Sequence, residues 1–301
     1  AMNEKINCTE AICAAHNFAV IGHPIAHTMS PFIHTKLFAL GNGYPAADYG
    51  VIDLPPEELT ASMPRLRKLC GFNITIPHKQ AIIPHLDNLD AKAAFFHSVN
   101  TVKNENGRLT GYTTDGAGFT KALESAGVPL TGRIAILGAG GASRVMAFEA
   151  LDAAQEPDIT IAAREHSLPA AQALCNELEQ VLQNQGRKGR LSVARLDALS
   201  GGFDLLVNGT PVGMYPHADA SPVSAGVLAH CAAVFDAVYN PDQTMLLRLA
   251  KENGAKTVGG MRMLVGQAAA AHEIWYGATF RESDIDALCR EAVEEMERIF
   301  A

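Results

Sequence analysis

The short apolar run Ile134-Ala135-Ile136-Leu137 ends on Gly138-Ala139-Gly140-Gly141-Ala142-Ser143 and continues into a helix-like stretch. A strand, a glycine turn and a helix in that order constrain the fold more than any other segment of this chain. Glycines let the backbone approach a pyrophosphate, and free N–H groups at the helix start attract its charge. Gly138, Ala139, Gly140, Gly141 and Ala142 are therefore the expected cofactor-binding turn, and Ser143 is small enough to sit between helix and sheet. From residue 116 onward, strand-like runs recur at 134–137, 159–162, 205–207 and 234–236, separated by helical or turn segments. That alternation predicts a doubly wound parallel sheet.

The first part of the chain follows a different rhythm. Phe18-Ala19-Val20-Ile21 reads as a buried strand ended by Gly22. Ser30-Pro31 opens a helix, with serine as N-cap and proline at the first helical position. Val51 to Leu54 and Phe72 to Ile76 are further strands, and Pro55-Pro56-Glu57-Glu58 starts another helix. Asn106-Gly107, flanked by 100–103 and 108–111, is a strong hairpin signal. Two long amphipathic helices, Met263–Trp275 and Ser283–Ile299, come last. The expected architecture is α/β with two domains. A substrate-binding domain with a mainly parallel sheet occupies 1–115, and the C-terminal helices of 261–301 return to complete it. A Rossmann-like dinucleotide-binding domain occupies 116–260. Arg187-Lys188-Gly189-Arg190 reads as an exposed turn without a function.

Bulk properties exclude several classes. At 301 residues, 48% apolar and 19% charged, the chain has the make-up of a globular protein of one large or two ordinary domains. A net charge of −8 argues against nucleic acid as a general partner. No apolar stretch approaches the length of a membrane span, and Asn3-Glu4-Lys5-Ile6-Asn7 lacks the features of a signal peptide. A cytoplasmic monomer or homodimer acting on a small molecule is expected. Cys8, Cys13, Cys70, Cys175, Cys231 and Cys289 lack paired spacing and read as reduced thiols. His23, His27 and His34 have no accompanying carboxylate, so no metal site is expected.

The reactive candidates lie where strands end. In Ile74-Thr75-Ile76-Pro77-His78-Lys79 a β-branched run stops at proline and leaves a lysine just beyond it. Proton transfer by a lysine requires a desolvating site or a paired charge, and Asp115 of Thr113-Thr114-Asp115-Gly116 is the available carboxylate. Asn73, Thr75 and Asn100 on neighbouring strand ends would complete a polar cluster suited to a hydroxyl-rich substrate. Thr28 and Ser30, at a helix entry, offer hydroxyls that could hold a substrate carboxylate. After the second strand of the nucleotide half, Arg164 could pair with a 2′-phosphate, whereas Glu165 could accept bonds from a bare ribose.

Taken together, these motifs resemble the shikimate dehydrogenase family over nearly the whole chain. The resemblance is carried, in the family's order, by Gly22 to Pro31, Asn73 to Lys79, Ser98-Val99-Asn100-Thr101, Thr114-Asp115-Gly116, Gly138 to Arg144 and Gly260 to Gln267. It implies reversible NAD(P)-dependent reduction of 3-dehydroshikimate to shikimate, or a close variant on quinate. It further implies Lys79 and Asp115 as the catalytic pair and Thr28 and Ser30 as holders of the carboxylate. Asn73, Thr75, Asn100, Asp115 and Gln267 would bind ring hydroxyls. Tyr239 would line the site, and Gly260 would sit near the nicotinamide.

Departures from the family pattern refine the expectation. Thr28 replaces a usual serine, Thr113 a usual asparagine and Arg262 a usual glycine. NADP-type members carry Asn-Arg-Ser/Thr with another basic residue soon after. Here Ala163-Arg164-Glu165 is followed by His166-Ser167-Leu168, with no second arginine. The phosphate clamp looks incomplete, so NAD is expected as the preferred cofactor, with NADP second, and a quinate- or aminoshikimate-type paralogue is favoured. The rivals are a non-catalytic sensor of a cyclic polyol acid and nucleotide, or another two-domain dehydrogenase such as the folate-linked type.

Overall fold

A computed structural model of the chain describes residues 17–26, 28–41 and 47–300; Cys8, Cys13 and His27 lie outside them. The chain divides into two compact units, one of residues 1–114 with 267–292 and one of 115–266 with 293–301. Among the described residues, no helix is long and apolar enough to cross a membrane.

The first unit runs β1 (Phe18–Gly22), α1 (Ser30–Leu40), β2 (Tyr49–Asp53), α2 (Leu59–Leu66), β3 (Gly71–Ile74), α3 (His78–Ala81), β4 (Asn88–Leu89), α4 (Ala91–Phe96), β5 (Thr101–Glu105) and β6 (Arg108–Tyr112). Its six strands are ordered β2-β1-β3-β5-β6-β4. β1 pairs parallel with β2 and β3, while β3–β5 and β5–β6 are antiparallel. The β5–β6 turn places Asn106 at φ 55° and Gly107 at φ 87°. Two positive φ values in a two-residue loop give the tight hairpin that Asn-Gly favours. β1 is buried on both faces, which a parallel central strand requires. Ala19 and Ile21 point into a core with Ile52, Leu66 and Phe72. Phe18 and Val20 meet Phe38, Tyr49, Ala271 and Trp275 on the opposite face.

The second unit runs α5 (Asp115–Ser125), β7 (Arg133–Leu137), α6 (Gly141–Ala153), β8 (Asp158–Ala163), α7 (Leu168–Asn184), β9 (Arg190–Arg195), β10 (Phe203–Asn208), α8 (Ala225–Leu228), β11 (Cys231–Asp236), α9 (Met245–Glu252) and β12 (Lys256–Val258). Every pairing is parallel, in the order β12-β11-β10-β7-β8-β9. This is the doubly wound order, whose direction reverses between β7 and β10, the place where such sheets take ligands. Two helices follow, α10 (Gly260–Tyr276) and α11 (Glu282–Phe300). In the first unit, the Trp275 indole on α10 donates to the Val102 carbonyl at 2.9 Å. Gly71 makes this possible, because a Cβ there would lie 2.5 Å from the indole nitrogen.

Two local expectations are corrected. α1 begins at Ser30 with Met29 as its cap residue, and Thr28 Oγ1 accepts from the Ser30 N–H at 3.1 Å. Thr28 thus does the capping expected of Ser30. Arg187 is no idle turn residue: its guanidinium donates to the carbonyls of Leu151, at 2.6 Å, and Ala154, closing the C-terminal end of α6.

Candidate active site

In the first unit three of the expected substrate residues, Asn73, Asn100 and Gln267, converge on one amide, whereas the bonds of Thr28, Ser30 and Thr75 run elsewhere. The Asn100 side chain, 3% exposed, donates to Thr114 Oγ1 at 2.9 Å and accepts from the Thr114 N–H at 2.9 Å. Gln267 Oε1 lies 3.4 Å from Thr114 Oγ1 and 3.5 Å from Asn100 Nδ2. Residues far apart in sequence are thereby tied into one cluster at the start of β5 and the corner before α5. Asn73 stands behind it. Its Oδ1 accepts from the Tyr49 hydroxyl at 2.6 Å, and its Nδ2 donates to the Asn100 carbonyl at 3.2 Å and to Thr101 Oγ1 at 3.1 Å. Those bonds brace Asn100 from behind.

Lys79 and Thr75 are positioned by the turn between β3 and α3. The Thr75 N–H bonds to the Ile21 carbonyl at 2.9 Å, and the Thr75 carbonyl accepts from the His78 N–H at 3.0 Å. His78 is fully buried, and its Nε2 bonds to the Leu54 carbonyl at 2.6 Å. That anchor fixes the short helix carrying Lys79, whose carbonyl accepts from the Val99 N–H at 2.8 Å. Lys79 and Asp115 are each half-buried, and Asp115 starts α5 immediately after Thr114. Among the described residues, no three histidine, cysteine or acidic groups could hold a metal ion. His23 bonds to Asp53 at 2.7 Å and His34 to His272 at 2.9 Å.

The second unit presents the glycine turn as a cradle. Gly138 takes φ +93°, a conformation that disfavours a side chain. A Cβ on Gly140 or Gly141 would meet nothing within 4 Å, so the backbone there is open to a ligand. No side chain caps α6, which leaves its first N–H groups for an anion. Ser143 is buried and donates to the Leu137 carbonyl at 3.0 Å, binding helix to strand. These features fit the pyrophosphate of a dinucleotide. At the end of β8, Arg164 and Glu165 are both exposed. A second arginine stands there after all. Arg195 ends the neighbouring strand β9, in register with Ala163, and lies 3.6 Å from Glu165. The structure thus places a second guanidinium on the neighbouring strand, although none directly follows Arg164 in sequence.

At the ends of β10 and β11, a network not anticipated from sequence shapes the adjoining loops. Asp236 is completely buried, accepting from Asn208 Nδ2 at 2.9 Å, Thr244 Oγ1 at 2.7 Å and the Val238 N–H at 3.0 Å. Burial pushes its carboxyl pKa up, against those three bonds. Asn208 Oδ1 also accepts from the Thr210 N–H at 3.0 Å, so one network fixes both loops. Tyr239, three residues beyond Asp236, is half-buried, and burial raises its phenol pKa. Gly260 opens α10 against the end of β11, where a Cβ would run into the Ala237 carbonyl. The one forward signal for this network was the position of Asn208 and Asp236 at the ends of adjacent parallel strands.

Comparison with known proteins gives a consistent family. Residues 20–102 match the shikimate dehydrogenase substrate binding domain. A shikimate dehydrogenase (NADP(+)) of Methanococcus maripaludis is 40% identical over 263 residues, 86% of this chain and 91% of that protein. The structure of shikimate 5-dehydrogenase from Thermus thermophilus, in complex with NADP(H) and shikimate, is 36% identical with a TM-score of 0.78, covering 91% of this chain and 98% of that one. The enzyme of Listeria monocytogenes, in complex with shikimate and NAD, is 30% identical with a TM-score of 0.79, covering 92% and 96%.

Proposed function

The chain belongs to the shikimate dehydrogenase family, and from that premise we propose that it interconverts 3-dehydroshikimate and shikimate. It is an NAD(P)-dependent oxidoreductase acting on a CH–OH group. The observation that carries the substrate reading is the amide and hydroxyl cluster of Asn100, Thr114 and Gln267, a group of hydrogen-bonding atoms matched to a polyhydroxylated ring.

Roles follow from chemistry and placement. The bound nicotinamide supplies the hydride acceptor or donor. Lys79, assisted by Asp115, holds and moves the proton on the substrate oxygen. Thr28 and Ser30, at the start of α1, take the ring carboxylate, and the helix N-terminus behind them favours its charge. Thr75, Asn100 and Gln267 take ring hydroxyls, with Asn73 holding Asn100 from behind. Tyr239 lines the ring, and Gly260 leaves room for the nicotinamide. Holding the reactants in register supplies much of the rate.

For the cofactor, the reading moves from NAD to NADP(H). The curated relatives are named for NADP(+), and Arg195 removes the reason for expecting NAD. Quinate ranks as a second ring acid, since the curated relatives are named for shikimate. The test follows the reduced-nicotinamide absorbance band with shikimate and quinate, each with both cofactors. Shikimate with NADP(+) should give the highest kcat/KM. Binding of the acids without any turnover would return the reading to a non-catalytic sensor. Turnover only with a folate substrate would move it to the folate-linked dehydrogenases.

A further inference from the structure

We propose that Arg195, at the end of β9, is the second cation of a 2′-phosphate site whose first is Arg164, and that Glu165 is the counter-charge a 2′-phosphate must displace. This rests on the dinucleotide reading above and adds the residues that set which dinucleotide is preferred. At the carboxyl ends of β8 and β9, where a dinucleotide sheet receives the adenosine ribose, Arg195 contacts both Glu165 and Asp197, and the exposed Arg164 directly precedes Glu165.

Arg195 is held in a fixed plane. Its Nε donates to Asp197 Oδ1 at 3.0 Å and its Nη2 to Asp197 Oδ2 at 2.7 Å. A two-point fork of this kind orients a guanidinium as well as pairing it. The remaining nitrogen, Nη1, faces Glu165 Oε2 at 3.6 Å, an ion-pair contact too long for a hydrogen bond. Nη1 therefore keeps donors for an incoming oxygen. Asp197 is a positioning residue: it aims Arg195 and leaves that nitrogen outward.

Charge then decides between the cofactors. Arg164 and Arg195 are balanced by Glu165 and Asp197. A 2′-phosphate brings a charge of about −1.5 to −2 and is repelled unless Glu165 swings away from Arg195. A bare 2′-hydroxyl carries no charge and can donate to Glu165 where it stands. Glu165 thus favours NAD and Arg195 favours NADP, so the pair acts as a balance between the two.

The test uses adenine nucleotides that lack the reacting ring, with the full chain and titration calorimetry. Adenosine 2′,5′-bisphosphate and adenosine 5′-monophosphate are the probes. Arg195→Gln should weaken the bisphosphate about tenfold and leave the monophosphate within about twofold. Glu165→Gln should tighten the bisphosphate and leave the monophosphate equal or weaker. Asp197→Asn should fall between wild type and Arg195→Gln for the bisphosphate. Unchanged binding of both probes to Arg195→Gln, or equal loss of both, would overturn the inference and leave the dinucleotide reading intact. Failure of the wild-type chain to bind either probe would overturn both.

Discussion

Asn100 shows how one side chain can organise a site without doing its chemistry. Its amide bonds to both the hydroxyl and the N–H of Thr114, the residue that precedes Asp115. Asn100→Ala would leave the buried Thr114 N–H without its acceptor, costing about 1–3 kcal/mol. The expected outcome is a lower Tm together with a raised KM for shikimate, measured by thermal unfolding and steady-state kinetics. A variant with wild-type Tm and KM would contradict the assigned role. The polar character of residue 100 was legible from its place at a strand end. Its partner Gln267 was legible only through the family motif, because no local pattern links positions so far apart in sequence. The partners of Asn73 were hidden in the same way: Tyr49 and Thr101, distant in sequence, bond to its amide.

At the scale of elements, local patterns survived and cross-strand partnerships did not. β7, the glycine turn and α6 were legible because the whole unit is written in consecutive residues, as was the Asn106-Gly107 hairpin. β9 escaped because it is an edge strand, whose side chains are all exposed or half-buried and give no apolar run. With it went Arg195. The pairing of α1 with α10 was equally hidden. His34 and His272 meet at 2.9 Å, and His272 also bonds to the Tyr276 hydroxyl at 2.6 Å. Burial holds both imidazoles neutral, lowering His34 well below the usual histidine range and His272 to about 3. In the unfolded chain both titrate near 6.5, so the unfolded state binds more protons below that pH. The stability of this pairing is complete above about pH 6.5 and is lost as pH falls below it, for His272 down to about 3. Urea unfolding at about pH 7 and about pH 5 should show this loss, and His272→Gln should reduce the pH dependence. An identical pH dependence in the variant would remove the buried pair as its source.

Over the whole molecule, two α/β units carry the two parts of the proposed site. One presents a buried cluster of hydroxyls and amides, and the other an open glycine turn at a helix start. The central claim is that these serve a dehydrogenase in which Lys79 carries the substrate proton. The most direct measurement pairs turnover with binding in Lys79→Ala, using shikimate and NADP(+) for kcat and calorimetry for the shikimate Kd. The account predicts that kcat falls by at least about 10²-fold while Kd changes only a few-fold. Turnover kept within a few-fold of wild type, or a fall matched entirely by lost binding, would contradict it.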